Sequence, residues 1–284
     1  MDDRVVVITG ANTGLGEATA VALAGMGATT VLACRNPDRA AAAAQRVRAQ
    51  SGSDRVEIVE LDLGDLDSVR HASAEILERF DRLDVLVNNA GGLSTERCTT
   101  RQGFEQTFGV NHLGPFLLTN LLLDRLRQSA PSRIVNVSSI GHRAARDMRW
   151  EDLQFEHGYN TFGAYGQSKL ANILFTRALA RRLPAAEVIA NACHPGSVRT
   201  ELGRDGDTTG FIGLMSFTVL RPFYVSAARG ARTQVYLASA PEMDGRSGGY
   251  YVRCREHRPS RAARDDEAAA RLWDVSERLV GATR

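Results

Sequence analysis

The chain has few cysteines and almost no net charge. Its 284 residues include four cysteines, with no C-x-x-C pair and no His/Cys cluster of zinc-binding spacing. The simplest interpretation is reduced thiols in a cytoplasmic protein, with no metal site. The formal net charge is +2. This balance does not favour nucleic acid as a partner.

Long hydrophobic runs are also missing. No stretch approaches the roughly 20 consecutive apolar residues that a membrane-spanning helix needs. The first apolar run begins by about Arg4, so we expect neither a signal peptide nor a transit peptide. No internal repeat or low-complexity linker divides the chain. A length of 284 residues, with 43% hydrophobic and 24% charged, predicts one domain, 1–284.

Short runs rich in Val, Ile and Leu alternate with helical stretches along nearly the whole chain. We predict seven strands, near Val5–Ile8, Thr30–Ala33, Val56–Glu60, Val85–Asn88, Arg133–Val137, Val188–Ala192 and Gly249–Val252. We predict helices near Gly14–Met26, Asp38–Ser51, Leu66–Phe80, Thr100–Gln128, Phe162–Arg182, Ser226–Ala240 and Asp265–Val280. Apolar strands between helices are typical of a parallel sheet covered on both faces. Right-handed crossovers then predict a Rossmann-type, doubly wound α/β three-layer sandwich with strand order 3-2-1-4-5-6-7.

Two segments break this alternation, and both follow the carboxyl ends of strands, where ligands bind in such sheets. Residues 141–160 are polar, whereas residues 197–225 carry an apolar cluster. The second segment is either a helix pair packed on the core or a mobile hydrophobic lid over a substrate. A helical extension near 262–284 ends the chain.

A glycine-rich turn at Thr9–Gly16 is the most informative motif, because it follows the first strand and leads into a helix. Glycines let the backbone approach a pyrophosphate, and the helix N-terminus offers N–H groups and positive dipole charge. The spacing, G-x-x-x-G-x-G, differs from the commoner G-x-G-x-x-G. A plain tight turn is the alternative.

Polar residues suited to catalysis lie at other strand ends. Tyr165 and Lys169 are four residues apart at the start of a helix and therefore share a face, where an ammonium would lower the phenol pKa. The alternative is a packing tyrosine beside a surface lysine. Ser138-Ser139 ends the fifth strand, where a hydroxyl could bind a substrate carbonyl or simply cap a helix. Asn111 lies in a long helix, where a buried amide needs partners.

Together these elements resemble the short-chain dehydrogenase/reductases over essentially the whole chain. The matching elements are Thr9–Gly16, Asp62-Leu63, Asn88–Gly91, Asn111, Ser139, Tyr165-x-x-x-Lys169, and Pro195-Gly196 followed by Thr200. The resemblance implies that Tyr165 is the general acid/base and that Ser139, rather than Ser138, holds the substrate oxygen. It also implies that Lys169 binds the nicotinamide ribose and that Asn111 holds a water in the proton relay.

The same resemblance implies a dinucleotide site. Asp62 would bind the adenine edge, the Asn88–Gly91 backbone would line the ribose, and Pro195-Gly196 with Thr200 would lie by the nicotinamide. The expected cofactor-binding residues are Gly10, Asn12, Thr13, Gly14, Leu15, Gly16, Arg35, Asp62, Leu63, Asn89, Ala90, Gly91, Tyr165, Lys169, Pro195, Gly196, Val198 and Thr200.

Some segments resemble one branch more closely, that of the retinol dehydrogenases and light-dependent protochlorophyllide reductases. They are Ala33–Arg35, Asn111–Phe116, Ile134–Ser139, Gln167–Asn172 and Arg271–Ser276. Vertebrate retinol dehydrogenases often carry an N-terminal membrane anchor, and we expect none here.

The end of the second strand bears on the choice of cofactor. NAD-binding sheets usually place an acid there, but this sequence reads Cys34-Arg35, with no carboxylate before Asp38. Arg35 can pair with a 2′-phosphate, Arg39 lies one helical turn on, and a plain surface arginine is the alternative. We therefore expect NADP(H).

The apolar 197–225 segment suggests a bulky hydrophobic ketone or aldehyde as substrate. A polyketide-like aromatic ketone, a retinoid-like aldehyde and a steroid all remain open. NADPH-dependent reduction is the leading hypothesis. The alternatives are NADP-dependent oxidation of a secondary or allylic alcohol such as retinol, and a non-catalytic NADP(H)-sensing regulator. His112 and His142 could contact the substrate, but we interpret each as a structural or exposed histidine. Members of the family commonly form homodimers or homotetramers, so either is possible here.

Overall fold

A computed structural model describes residues 1–196 and 226–281 of the chain. The strands are β1 (Val5–Thr9), β2 (Thr29–Cys34), β3 (Val56–Glu60), β4 (Val85–Asn88), β5 (Ser132–Val137), β6 (Val188–His194), β7 (Tyr250–Val252) and β8 (Arg255–Glu256). The α-helices are α1 (Gly14–Gly25), α2 (Pro37–Ser51), α3 (Leu66–Arg79), α4 (Gln106–Phe108), α5 (Gly114–Gln128), α6 (Thr161–Arg182), α7 (Ala227–Ser239) and α8 (Asp266–Val280).

The strands form one sheet in the order β3-β2-β1-β4-β5-β6-β7-β8. The seven strands from β3 to β7 run parallel, which confirms the predicted fold class and strand order. An eighth strand, β8, was not predicted and pairs antiparallel with β7. Its two residues follow a turn in which Arg253 and Cys254 have φ of 53° and 60°. Such turns usually contain Asn or Gly, so no hairpin signal is present at Arg253-Cys254.

Hydrophobic clusters cover both faces of the sheet because successive residues of a strand point to opposite sides. In β1, Val5 and Val7 join a cluster that includes residues of α3, α5, α6 and α8. Val6 and Ile8 join the opposite cluster, with residues of α1, α2 and α7. This three-layer arrangement brings the carboxyl ends of the parallel strands to one edge.

One predicted helix, Thr100–Gln128, is wrong at its start. Helical structure begins at Gln106, because the carboxylate of buried Glu105 accepts from the backbone N–H groups of Thr107 (2.8 Å) and Phe108 (2.7 Å). Between α4 and α5 the chain makes a π-helical turn, Gly109–Leu113, which contains Asn111. Such turns are rare and often occur at functional sites.

The last helix, α8, packs against α5 and α6. The Trp273 ring lies 5.0 Å from that of Phe116 and 5.9 Å from that of Phe175, between ring centres.

The predicted lid at 197–225 and residues 282–284 lie outside the described residues, so the predicted division of the chain stays a prediction. Within the described ranges, no helix has both the length and the apolar character to cross a bilayer.

Candidate active site

The glycine turn after β1 folds tightly against the loop that follows β4. Gly10 and Gly14 have φ of 64° and 56°, a region that L side chains rarely adopt. A Cβ on Gly16 would lie 2.6 Å from Asn89 Nδ2 and 2.9 Å from Ala11 Cα. Only glycine fits at this position, so the start of α1 can approach the loop closely.

Asn89 ties these two loops together. Its side-chain amide donates to the Thr9 carbonyl (2.8 Å), and the backbone N–H groups of Asn89 and Ala90 both donate to Thr9 Oγ1 (3.0 Å). Buried Gln234, on α7, donates to Asn89 Oδ1 (3.3 Å) and accepts from the Thr19 hydroxyl (2.9 Å). Sequence reasoning missed Gln234, since a glutamine in an ordinary amphipathic helix carries no motif.

The start of α1 fits a pyrophosphate group. Thr13 occupies the N-cap position and makes no side-chain capping bond among the described residues. The first backbone N–H groups of α1 thus keep their capacity to bind an anion beside Asn12 and Leu15. The turn leaves no space for side chains at Gly16, as the close approach of a dinucleotide requires.

Other expected cofactor residues lie at the carboxyl ends of β2 and β3. Arg35 is exposed and follows β2 directly. Asp62 follows β3, and its Oδ1 accepts from the Gly64 N–H (2.8 Å). Leu63 is buried, and its backbone lies so close to Gly114 that a Cβ there would be 3.1 Å from Leu63 Cα. The strand β2 lies beside β1, and β3 pairs parallel with β2, so the carboxyl ends of both strands share an edge of the sheet with the glycine turn.

Asn111 is fully buried, and its side chain is held on both sides. Its Nδ2 donates to the Gly92 carbonyl (2.8 Å) and to Ser168 Oγ (2.9 Å), while its Oδ1 accepts from the Gly92 N–H (2.8 Å). A Cβ on Gly91 would lie 3.1 Å from Asn111 Oδ1 and 3.0 Å from Lys169 Nζ. The loop after β4 therefore contacts both residues. That Asn111 holds a water stays a prediction.

The two serines after β5 have different environments. The hydroxyl of buried Ser138 donates to the Lys169 carbonyl (2.7 Å). Ser139 is partly exposed, and its Oγ accepts from the Gly141 N–H (3.1 Å). A Cβ on Gly141 would lie 3.1 Å from Tyr165 Cε1 and 3.4 Å from Ser139 Oγ. Gly141 thus lets the Ser139 hydroxyl and the Tyr165 ring lie close to each other.

Burial governs the protonation of Tyr165 and Lys169. It raises the pKa of Tyr165, and a hydrogen bond with Ser139 offsets part of that effect. It lowers the pKa of Lys169 to about 8. Lys169 Nζ donates to the Val137 carbonyl (3.2 Å). The lowering of the Tyr165 pKa expected from Lys169 is therefore opposed here by desolvation of the phenolate.

Three further features complete the comparison with the predicted site. Pro195 and Gly196 follow β6, with Gly196 at φ of 90°, whereas Val198 and Thr200 lie outside the described residues.

His112 is fully buried, with Nε2 2.8 Å from Ser276 Oγ, and burial lowers its pKa to about 3. No group of three or more His, Cys, Asp or Glu side chains arranged to hold a metal occurs within 1–196 and 226–281.

Comparison with known proteins agrees with this fold. The family model for short chain dehydrogenases matches residues 4–209. Retinol dehydrogenase 13 from Homo sapiens is 46% identical to this chain, over 98% of this chain and 85% of its own length. Retinol dehydrogenase 14 from Homo sapiens is also 46% identical, over 99% and 87%. A crystal structure of an uncharacterized protein from Mycobacterium paratuberculosis is 39% identical, with a TM-score of 0.79, covering 99% of this chain and 94% of that one.

Proposed function

The chain belongs to the short-chain dehydrogenase family, in the branch of the retinol dehydrogenases, and on that premise we propose an NADPH-dependent reductase of a bulky hydrophobic ketone or aldehyde. The observation that carries the proposal is the juxtaposition of Ser139 and Tyr165 across Gly141, with Lys169 and Asn111 both against Gly91. The four side chains come from three separate segments, and an acid/base group beside a carbonyl-binding hydroxyl suits carbonyl reduction.

The residues take the following roles in the proposed reaction. Bound NADPH supplies the hydride. The Ser139 hydroxyl donates a hydrogen bond to the substrate carbonyl oxygen, and Tyr165 donates its phenolic proton to that oxygen. Because burial raises the pKa of Tyr165, the phenol is protonated at neutral pH, which is the state a proton donor needs. The protonated phenol is the form from which reduction starts.

Lys169 and Asn111 support this pair. Lys169 binds the ribose of the cofactor through Nζ, which lies beside the Gly91 backbone. Asn111 fixes the loop after β4 through its two bonds with Gly92. Arg35 pairs with the 2′-phosphate, which selects NADP(H) over NAD(H), since no acidic side chain precedes Asp38 at the end of β2.

Oxidation of a retinol-like allylic alcohol by the same residues is the second candidate. The observation that favours it is the name of the relatives, since both human proteins are retinol dehydrogenases. A non-catalytic NADP(H) sensor is the third, and it needs only the cofactor site. The presence of Asn111, Ser139, Tyr165 and Lys169 together supports an enzyme over a sensor, which would need only the cofactor site.

The test is turnover by the purified chain with NADPH or NADH and a panel of hydrophobic carbonyls that includes all-trans-retinal. We expect oxidation of NADPH with at least one carbonyl. Tyr165→Phe should abolish turnover and leave NADPH binding, followed by nicotinamide fluorescence, unchanged. Oxidation of retinol that exceeds reduction of every carbonyl, each measured with its matching cofactor at neutral pH, would favour the second candidate. Tight NADPH binding without turnover in either direction would favour the sensor.

The homodimer or homotetramer also stays a proposal. The resemblance implies an interface formed by the helix that carries the tyrosine and by the helix after it, here α6 and α7. The helix α8 packs on α6, with Arg177 of α6 paired to Asp266 of α8 at 2.6 Å. A dimer through α6 must therefore use the surface that α8 leaves open. Sedimentation velocity at micromolar concentration decides the question, because a single species near the 30.9 kDa chain mass contradicts the oligomer.

A further inference from the structure

His142 lies three residues after Ser139, in a 3-10 helix formed by Ile140–Ala144, and it is fully buried. Its Nδ1 lies 2.6 Å from the Ser139 carbonyl oxygen. The backbone N–H of His142 also donates to this oxygen (3.2 Å). On the other side of the ring, the backbone N–H of Ser260 donates to Nε2 (3.1 Å). The imidazole therefore bridges Ser139 and a segment 118 residues later in the chain.

The hydrogen-bond partners of His142 determine which of its two ring nitrogens carries the proton. A backbone N–H can only donate, so Nε2, which receives the Ser260 N–H, carries no proton. In the neutral imidazole the proton then lies on Nδ1, which donates to the Ser139 carbonyl. Burial lowers the pKa of His142 and so favours the neutral ring.

The surroundings hold the ring in this orientation. The Tyr250 ring meets it edge-on, with 5.2 Å between ring centres. The neighbouring side chain of Arg143 donates to the Arg258 carbonyl (3.0 Å). His142 accepts one hydrogen bond from this later segment and Arg143 donates another to it, so two consecutive residues join the 3-10 helix after β5 to the segment that contains Arg258 and Ser260.

We propose that His142 is a positioning residue that orients Ser139 for the reaction. This proposal rests on the proposed function, in which the Ser139 hydroxyl holds the substrate oxygen. Ser139 is held at two points: its Oγ accepts from Gly141, and its carbonyl accepts from His142. Since Oγ accepts from the Gly141 N–H, the hydroxyl proton is directed away from that bond. Loss of the His142 side-chain bond leaves the Ser139 carbonyl with only the longer bond from the His142 backbone N–H (3.2 Å), so the Ser139 backbone and its hydroxyl are held less firmly beside Tyr165.

Two variants separate the halves of the bridge. The amide of His142→Asn can place a donor where Nδ1 lies and loses the bond from Ser260, whereas the longer His142→Gln reaches the Nε2 position and loses the bond to Ser139. We expect His142→Gln to lower kcat by about tenfold or more, the worth of one buried hydrogen bond, and His142→Asn to stay within about threefold of wild type. The KM for NADPH should stay unchanged in both, because the cofactor residues lie on other segments.

Equal kcat losses in the two variants, or wild-type kcat in His142→Gln, would overturn the proposal. A second measurement does not depend on turnover. Long-range ¹⁵N–¹H NMR of the wild-type histidines at pH 7 should show His142 as the neutral Nδ1–H tautomer, and an Nε2–H tautomer or an imidazolium would also overturn it. A wild type that turns over no carbonyl, while the Nδ1–H tautomer is observed, would refute the proposed function and leave the hydrogen-bond bridge established.

Discussion

The ammonium nitrogen of Lys169 lies 5.6 Å from the centre of the Tyr165 ring and donates a hydrogen bond to the Val137 carbonyl. Lys169 is 4% exposed, so water contributes little to the stabilisation of its positive charge. Burial favours the neutral form of each side chain, so it shifts the two pKa values in opposite directions. It lowers the pKa of Lys169 and raises the pKa of Tyr165. The protonation of Lys169 therefore changes near pH 8, whereas the phenol of Tyr165 stays protonated there.

Cofactor affinity should fall as the pH rises through about 8, the pKa to which burial lowers Lys169. Below that pH the ammonium is present and can donate to the ribose, and above it the proton is lost. If only the ammonium form binds, the Kd for NADPH rises about tenfold between pH 7 and pH 9. Fluorescence titration across this range measures it. Lys169→Met should bind weakly with a flat profile, and a flat wild-type profile would contradict the assigned role.

Gly16→Ala should destabilise the protein and weaken NADPH binding, because the new Cβ would meet Asn89 Nδ2 at 2.6 Å. Overpacking of this kind costs about 1–3 kcal/mol. Gly25→Ala, at the end of the same helix, is the matched control, since its nearest neighbour would be the Ser51 carbonyl oxygen at 3.8 Å. We expect that control to change the free energy of unfolding by at most about 1 kcal/mol. Denaturant unfolding and cofactor titration check both variants, and equal behaviour would refute the steric argument.

Arg35→Ala should weaken NADPH binding about 10- to 100-fold, the worth of a charge-assisted hydrogen bond to phosphate. NADH lacks the 2′-phosphate, so its affinity should stay constant and serves as the internal control. Arg39→Ala, one helical turn further on, should have a smaller effect. An unchanged NADPH Kd in Arg35→Ala would show that this position does not select the cofactor.

Stability should decrease as the pH falls below 6.5, with His112 contributing. Burial lowers its pKa from 6.5 to about 3, so between these values the unfolded chain binds a proton that the folded chain does not. The linkage is about 1.4 kcal/mol per pH unit for one such group. His112→Asn should make the free energy of unfolding less dependent on pH between 7 and 5. Phe108→Leu, whose ring lies 5.1 Å from that of His112, should lower stability equally at each pH. If the free energy of unfolding of His112→Asn depends on pH as strongly as that of the wild type, His112 is not a cause of the loss of stability at low pH.

The fold was largely predictable because each strand has a short run of β-branched and aliphatic residues, which can be identified without knowledge of the rest of the chain. The predicted strands Val56–Glu60 and Val85–Asn88, both rich in Val, Ile or Leu, coincide with β3 and β4. Tyr165 and Lys169 are four residues apart in α6, so a single helix brings them to one face whatever the rest of the chain does. Motifs of this kind need no knowledge of distant contacts.

The missed features depend on partners far away in the chain. Gln234 meets Asn89 across 145 residues, and His142 meets Ser260 across 118. Neither pairing leaves a periodic or spacing signal. The shape of the helix around Asn111 was also missed, because the start at Gln106 is set by a side-chain cap from Glu105 rather than by hydrophobic periodicity. Local patterns therefore predict the elements and the main side chains, while tertiary hydrogen bonds decide how these are held.

The two-residue strand β8 has a consequence for how this sheet meets other molecules. It covers the outer side of β7 and ends the sheet in exposed Arg255 and Glu256. A long, flat and apolar edge strand exposes unpaired backbone N–H and C=O groups that can pair with strands of neighbouring chains. A short charged edge strand exposes few such groups. A variant that replaces Arg255 and Glu256 with valine is therefore expected to aggregate faster at high concentration, while the residues around Tyr165 stay intact.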